Sequence, residues 1–505
     1  MEKAKVFAEH LVTRFRPNDG DDTLPHLDPI DSIDYQEKIP LTTPKEVTDE
    51  IKKLNLKKAP GFDLITGEIL KRFQKKALVK LTTLINACIR LNHVPDVWKV
   101  AEVIMIPKPG KNLSEVKSYR PISLLSTMAK LFEKLILKRL KPILDRNNLI
   151  PSHQFGFRNK HSTVEQVHRV TDVIEKSLEN KNVCSAVFLD VAQAFDRVWH
   201  EGLLHKLRFL LPDQYYQLIK SYLTTRHFRT KHEDAYSGLR PIEAGVPQGS
   251  VLGPILYLLY INDVPTTLYS TTATFADDTA IMAVGDSIES STRRLQSSLI
   301  KVAIWTKKWR IKLNESKSTH IDFTNKKITQ HPVYINGMQI PYANTAKYLG
   351  MTLDAKLRWK EHIKKKRDEL NLNFRKMYWL LGRNSKLSIY NKLILYKQIL
   401  RPVWSYGIQL WGCASACNTQ VIQRFQNKVL RCIVNAPWFI RNSDLHRDLQ
   451  MELVADIIAR FANSHQLRLQ NHINIEVSRL LDVRNITRRL KRTKPFELSK
   501  YWNTK

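Results

Sequence analysis

A chain of 505 residues is too long for one hydrophobic core, so several subdomains are expected. Its 81 Lys and Arg against 48 Asp and Glu leave a net charge of +33, which attracts polyanions, nucleic acid ahead of an anionic membrane surface. The longest apolar stretch, Val251 to Ile261, is broken by Gly253 and Pro254 and falls short of the ~20 residues a spanning helix needs, so no membrane passage is expected.

The opening "MEKAKVFAEHLVTRF" is amphipathic and has no secretory apolar core, so the expected location is intracellular. After that one helix, residues up to about 40 read as a polar tail or linker containing "RPNDGDD". "TPKEVTDEIKKLNL" has a Thr42 or Thr43 cap before apolar residues at helical spacing. "GEILKRFQKKALVKLTTLINACIRL" reads as one long amphipathic helix, "AEVIMIPKPG" as a strand ending in a turn, and "SYRPISL" as a loop running into a further long helix. That helix carries Lys130, Lys134, Lys138 and Arg139 on its polar face. "CSAVFLDV" is a short, β-branched apolar run and reads as a buried strand. "LLHKLRFL" and "VLGPILYLLY" read as helices, the second following the Gly-rich "GVPQGS". "TATFADDTAIMAV" reads as a tight β-hairpin with its aspartates at the bend. A helix over about 287–312 and strands at "KSTHIDF" and "AKYLGMTLD" follow. Beyond Glu361 the chain is helical and basic, and "RNITRRLKRTKPF" is a charge run expected to be partly disordered. Cys88, Cys184, Cys413, Cys417 and Cys432 are odd in number and scattered, which argues against a disulfide framework, and Cys413, Cys417, Cys432 and His446 fit no zinc-finger spacing.

Asp190 ends an apolar strand, and Asp277 and Asp278 sit on the hairpin that follows. Three carboxylates at strand ends in apolar sequence are costly to leave unpaired. A divalent cation relieves that cost, and hard oxygen ligands suit Mg²⁺, with Mn²⁺ as an alternative ion. Two such ions can activate an attacking hydroxyl and steady a leaving pyrophosphate. For "DD" alone, a pair of turn aspartates with an unrelated Asp190 is the favoured reading.

The neighbouring stretches narrow the choice. "KAPGFDLI", "IPKPGK", "YRPISLLSTMAKLFEKLILKRL", "QFGFRNKHST", "FLDVAQAFDRVWHEGLLHKL", "GVPQGSVLGPILYLLYINDVP", "TFADDTAIMA", "LNESKSTHIDF" and "AKYLGMTLD" occur in this order. The series resembles the reverse transcriptases of non-LTR retrotransposons, the Jockey-like elements of animals above all, from about residue 40 to 470. The resemblance implies an α/β (α+β) right-hand polymerase with fingers, a split βαβ palm and a helical thumb, plus a helical C-terminal region. By it, residues 1–43 are a linker or remnant, 44–355 the fingers and palm (core about 88–355), 356–410 the thumb and 411–505 a basic helical region.

The resemblance also implies roles. Asp190, Asp277 and Asp278 hold the metal with the backbone carbonyl of Val191. Lys317 protonates the leaving pyrophosphate; relatives usually follow this lysine with Thr, where this chain has Ser318. Lys108 and Arg120 grip the triphosphate, Phe195 excludes a 2′-hydroxyl, and Gln248 and Gly249 meet the template and incoming base. Arg158, Phe275 and the turn Tyr348-Leu349-Gly350 contact primer and template. Phe275 stands where many relatives have Tyr, which removes a hydroxyl and keeps the ring. The implied partners are an RNA template, a DNA primer and deoxynucleoside triphosphates, with no membrane, in the nucleus or a cytoplasmic ribonucleoprotein. An endonuclease domain is expected in the full element and absent from this chain, as in a truncated or domesticated copy. Competing readings are a catalytically silent RNA-binding protein, an intron maturase and an RNA-dependent RNA polymerase; Phe195 and "ADD" argue against the last.

Overall fold

The computed structural model describes residues 2–502 apart from 21–22, 27, 29–32, 328–330 and 483–486. The chain forms two compact units, each made of three separate segments. The first comprises Met1–Pro151, Val191–Pro265 and Lys301–Asn314; the second comprises Ser152–Asp190, Thr266–Ile300 and Glu315–Lys505. Among the described residues no helix is long and apolar enough to cross a membrane.

The first unit is built on a sheet in which the strand Val100–Pro107 pairs antiparallel with Tyr119–Leu124 and parallel with His227–His232. Tyr119–Leu124 was expected as loop, and it is a strand that accommodates Pro121. It lies at the sheet edge, where a missing backbone N–H leaves no ladder bond unmade. The helix Glu2–Arg14 is tied into this unit. Its Ala8 and Leu11, with Phe15 beyond it, pack into a core with Ala101, Val103, Leu125 and Phe228. Thr43 caps the helix Pro44–Lys52 by accepting from Glu46 N–H. The long helix expected after Thr66 is two, Gly67–Lys71 and Lys75–Arg90, and no Gly or Pro marks the break.

The second unit holds a four-stranded antiparallel sheet in the order Ser270–Phe275, Asp278–Gly285, Val183–Leu189, Thr319–Phe323. Counted along the chain the order is 2-3-1-4, with a helix, Ile288–Lys308, leading to the last strand. That is the split βαβ arrangement the sequence suggested. All seven residues of Val183–Leu189 are buried, as befits a central strand covered on both faces. The helix Thr163–Glu179 packs on this sheet and starts at a capping box formed by Ser162 and Glu165. A helical region follows, including Lys360–Lys376, Ala416–Val434 and Val454–Gln470, whose apolar faces share one core.

The basic run 484–496 departs from the expected disorder where it is described; residues 484–486 lie outside the described residues. Arg489 and Leu490 N–H donate to Glu179 Oε2 at 2.8 and 2.7 Å, and the Lys494 ammonium lies 2.7 Å from Glu179 Oε1. Ion pairing with the Thr163–Glu179 helix thus orders a segment whose composition alone reads as solvated.

Candidate active site

The register of the sheet brings the carboxylates together. Leu189 pairs with Thr279, so Asp190 and Asp278 follow one step beyond the last rung of adjacent strands. Phe275 pairs with Asp278, which leaves a two-residue turn of Ala276 and Asp277. Only Asp277 is therefore at the bend, and Asp278 opens the return strand. Ala276, the first residue of this turn, takes a left-handed φ of 56°, which is strained for a residue that carries a Cβ and no local hydrogen-bonding side chain.

The three charges feel one another. The Asp278 carboxyl is pushed up to about 6, first by partial desolvation, then by the charges of Asp277 and Asp190. Such a cluster is an anionic sink that a cation would relieve. Among the described residues no group of three His, Cys, Asp or Glu side chains is arranged as a cage for a metal. Mg²⁺ does not require one, since it keeps several waters and takes ligands from few carboxylates and from substrate phosphates. Lys317, with a side chain 70% exposed, places Nζ 3.9 Å from Asp190 Oδ2. The next residue, Ser318, is buried, and its hydroxyl accepts the Asp190 N–H at 3.2 Å. The departure from Thr at this position thus keeps the hydroxyl that anchors Asp190.

A brace holds the strained turn. Gln154 is buried; its Oε1 accepts from Gly156 N–H at 2.8 Å and from Ala276 N–H at 2.9 Å, and its Nε2 reaches Ala276 O at 3.4 Å. A Cβ on Gly156 would lie 2.3 Å from Ala276 N, so only glycine lets the two backbones approach. Phe155 packs with Leu469, Val477 and Leu480, and the half-buried Phe275 lies against that cluster. Arg169 donates to Thr272 O at 2.7 Å and pairs with Glu476 at 2.6 Å. The C-terminal residues 469–480 therefore back the hairpin that carries the aspartates. Arg158 donates to Gln154 O at 3.2 Å, while Phe157 is exposed with a φ of 54°.

The second predicted turn lies in the same unit. Thr345–Tyr348 and Met351–Asp354 pair around Leu349 and Gly350, whose φ values of 45° and 80° are both positive, as a type I′ hairpin requires. Tyr348 is buried against Phe188, and its hydroxyl donates to Ala273 O at 3.2 Å. Burial pushes its phenol far above the ordinary range. Tyr406 holds the turn from outside: its hydroxyl lies 2.6 Å from Leu349 O and 2.9 Å from Thr163 Oγ1.

The other predicted residues fall in the first unit. Lys108 follows the strand Val100–Pro107 and donates to Lys117 O at 2.7 Å. Arg120 is exposed on the neighbouring strand, opposite Ile106. Phe195 stacks on Tyr257 with centroids 4.5 Å apart and 24° between planes. Gln248 donates to Asp196 Oδ1 at 2.8 Å, and Arg14 donates to Asp196 Oδ2 at 2.6 Å. Burial raises the Asp196 carboxyl, and Arg14 opposes that. Gly249 has a φ of 131°, and a Cβ there would lie 2.4 Å from Ser123 O, so "GVPQGS" docks its backbone directly on the Arg120 strand. Val191 pairs with Leu313 in an isolated bridge.

Residues 106–353 match the family model described as reverse transcriptase (RNA-dependent DNA polymerase). The chain is 42% identical over 98% of its length to the probable RNA-directed DNA polymerase from transposon X-element of Drosophila melanogaster. It is 40% identical over 97% to that from transposon BS, and 39% identical over 99% to the RNA-directed DNA polymerase from mobile element jockey, both from the same fly. Residues 106–353 thus match a reverse transcriptase domain, and the likeness to these polymerases runs through nearly the whole chain. The chain spans 56–57% of the length of these three relatives.

The residues that sequence reasoning missed are the ones that hold the named ones. Gln154, Asp196 and Tyr406 each bond to the backbone or side chain of a predicted site residue or its immediate neighbour, as does Ser318, which the sequence marked only as a departure from Thr. "QFGF" was legible only as aromatics beside a cation. Gln154 and Gly156 gave no separate signal, because their partner lies 122 residues away for Gln154.

Proposed function

We propose that this chain is the polymerase part of an RNA-directed DNA polymerase of a non-LTR retrotransposon. It copies an RNA template onto a DNA primer from deoxynucleoside triphosphates. The observation that carries the reading is the sheet register that sets Asp190 and Asp278 at adjacent strand ends with Asp277 at the bend between strands, where the charges of Asp277 and Asp190 add to burial in raising the Asp278 carboxyl. The identity to named polymerases across nearly the whole chain supports it.

Asp190, Asp277 and Asp278, with the Val191 carbonyl, are the groups that would hold Mg²⁺. When bound, the ion lowers the pKa of the primer hydroxyl and neutralises charge on the phosphates. The primer 3′-hydroxyl attacks the α-phosphate, the bond to the β-phosphate breaks, and pyrophosphate leaves. Lys317 supplies its proton as general acid, a role that its approach to Asp190 supports. Lys108 and Arg120 hold the triphosphate; a guanidinium can do so through two parallel bonds. Phe195, backed by Tyr257, closes the space a 2′-hydroxyl needs. Gln248 and Gly249 face the template and the incoming base, with Gln248 oriented by Asp196. Tyr348, Leu349 and Gly350 support the primer end, and Arg158 and Phe275 border the template path. In this reading 44–355 are fingers and palm, and the basic helices of 356–410 are a thumb that tracks backbone phosphates.

The test is primer extension by the purified chain on an RNA template with Mg²⁺ and deoxynucleotides, beside ribonucleotides and Asp277→Asn. Deoxynucleotide-dependent extension lost in the variant is expected. Salt-sensitive RNA binding without extension would instead favour a silent RNA-binding protein.

A further inference from the structure

The helix Ala416–Val434 ends at Asn435, whose left-handed backbone (φ 51°, ψ 41°) turns the chain into the loop Ala436-Pro437-Trp438-Phe439-Ile440. Arg431, in the last turn of the helix, commits its guanidinium to this loop. Nη1 donates to Pro437 O at 2.9 Å, and Nη2 donates to Ile440 O. Nε and Nη2 reach Asn442 Oδ1 at 3.2 and 3.1 Å. Ile440 N–H closes the turn onto Pro437 O at 3.3 Å. The loop is thus pinned on both flanks. Yet its tip presents Trp438 at 90% exposure and Phe439 at 65%, with the rings edge to face and centroids 6.1 Å apart. Aromatic rings are the largest apolar surfaces a chain can bury. A loop held this firmly while it keeps two of them in water is built to be covered.

The charge around it says by what. Across residues 416–450 the cations are Arg424, Lys428, Arg431, Arg441 and Arg447, against Asp444 and Asp448, a balance of 5 − 2 = +3. Both aspartates are already paired with Arg447, at 3.3 and 3.1 Å. The segment therefore offers rings and cations, and both of its carboxylates are engaged. Unpaired bases stack on exposed aromatics, and cations beside them meet the phosphates.

We propose that Trp438 and Phe439 form a stacking platform for unpaired RNA. This rests on the reading of the chain as an RNA-copying polymerase, since the uncopied template is then the strand with free base faces. Trp438 and Phe439 take bases, and Arg441 and the neighbouring cations take phosphates. A duplex, whose bases are stacked internally, gains nothing from the rings.

The experiment uses the full chain and compares wild type, Trp438→Phe and the double variant Trp438→Ala/Phe439→Ala. The probes are a labelled unpaired 20-nucleotide RNA, single-stranded DNA of the same sequence and an RNA–DNA duplex, read by fluorescence anisotropy over a salt series. Losing two stacking positions should weaken binding of unpaired RNA by about tenfold to a hundredfold. Duplex affinity and the salt slope should stay unchanged, because the phosphate contacts remain. Trp438→Phe should retain most of the affinity. Both rings are exposed, so thermal melting should not change. Wild-type polymerisation together with unchanged RNA affinity in the double variant would overturn the platform. A loss confined to DNA, or to self-association, would overturn it in favour of a DNA strand or a second copy. Ring-dependent RNA binding in a chain that fails to polymerise would uphold the platform while the proposed function falls.

Discussion

Gln154 bonds both the N–H and the C=O of Ala276, the residue that takes the strained conformation immediately before Asp277. The position of Asp277 is thereby set by an amide 122 residues earlier in the chain. Gln154→Ala removes three hydrogen bonds at a buried turn. The expected loss of stability is about 2–3 kcal/mol, at roughly 1 kcal/mol per bond. On the proposed function, the extension rate should fall about tenfold to a hundredfold, since small displacements of catalytic groups are that costly. Gln154→Glu keeps the two accepted bonds and should lie between. Thermal denaturation and single-turnover extension measure the two effects. A Gln154→Ala variant with the wild-type rate would sink the brace.

The raised carboxyl of Asp278 makes a pH-dependent prediction with a definite sign. Its folded value of about 6 lies above the ordinary 3.8, so the folded state favours the protonated form. The stability this gives is complete below about 4 and is lost as pH rises through about 6. Without metal the protein should melt lower at pH 7.5 than at pH 5 on account of this group, by about 1 kcal/mol once solvent screening is allowed for. Asp278→Asn should remove that part of the difference. Mg²⁺ at pH 7.5 should raise the melting temperature of wild type more than that of the variant. Extension at limiting Mg²⁺ should rise with pH through about 6. A melting difference identical in wild type and Asp278→Asn would refute the assignment.

The contrast between these two cases explains what the sequence could tell. Asp277 and Asp278 stood out because charge in an apolar run has few structural explanations. The strands were legible because each was short, apolar and punctuated, whereas their split βαβ order came from the family resemblance. Gln154, Tyr406 and Asp196 were not, since a lone polar residue carries no local signature of a distant partner. Tyr119–Leu124 was read as loop, yet an edge strand tolerates a proline that a central one would not. The break at residues 72–74 left no trace in composition. Glu179 and Lys494 order a run that reads as solvated charge, because ion pairing is a property of the fold and not of the segment.

Tyr406 gives a test that separates the second turn from the first. Its hydroxyl reaches Leu349 O and Thr163 Oγ1, so Tyr406→Phe removes two bonds and keeps the packing of the ring. A stability loss of about 1–2 kcal/mol is expected. If the turn supports the primer end, KM for primer–template should rise severalfold while the nucleotide KM stays put. Steady-state extension with each component varied in turn measures this. A nucleotide-only effect would place Leu349 and Gly350 elsewhere in the mechanism.

Phe195 is stacked face to face on Tyr257, so its ring is backed and cannot swing away without losing that contact. On the proposed function a 2′-hydroxyl would meet a fixed wall. Phe195→Val opens the space, and ribonucleotide incorporation relative to deoxynucleotide should rise by about tenfold to a thousandfold, the range that steric exclusion of one small group commonly spans. Deoxynucleotide use should change much less. Tyr257→Ala, which removes the backing and leaves Phe195 in place, should relax selection in the same direction and by a smaller factor. Competitive extension with mixed nucleotides, read by alkaline cleavage of the product, gives both ratios. Selection that survives both substitutions would assign the discrimination to another residue.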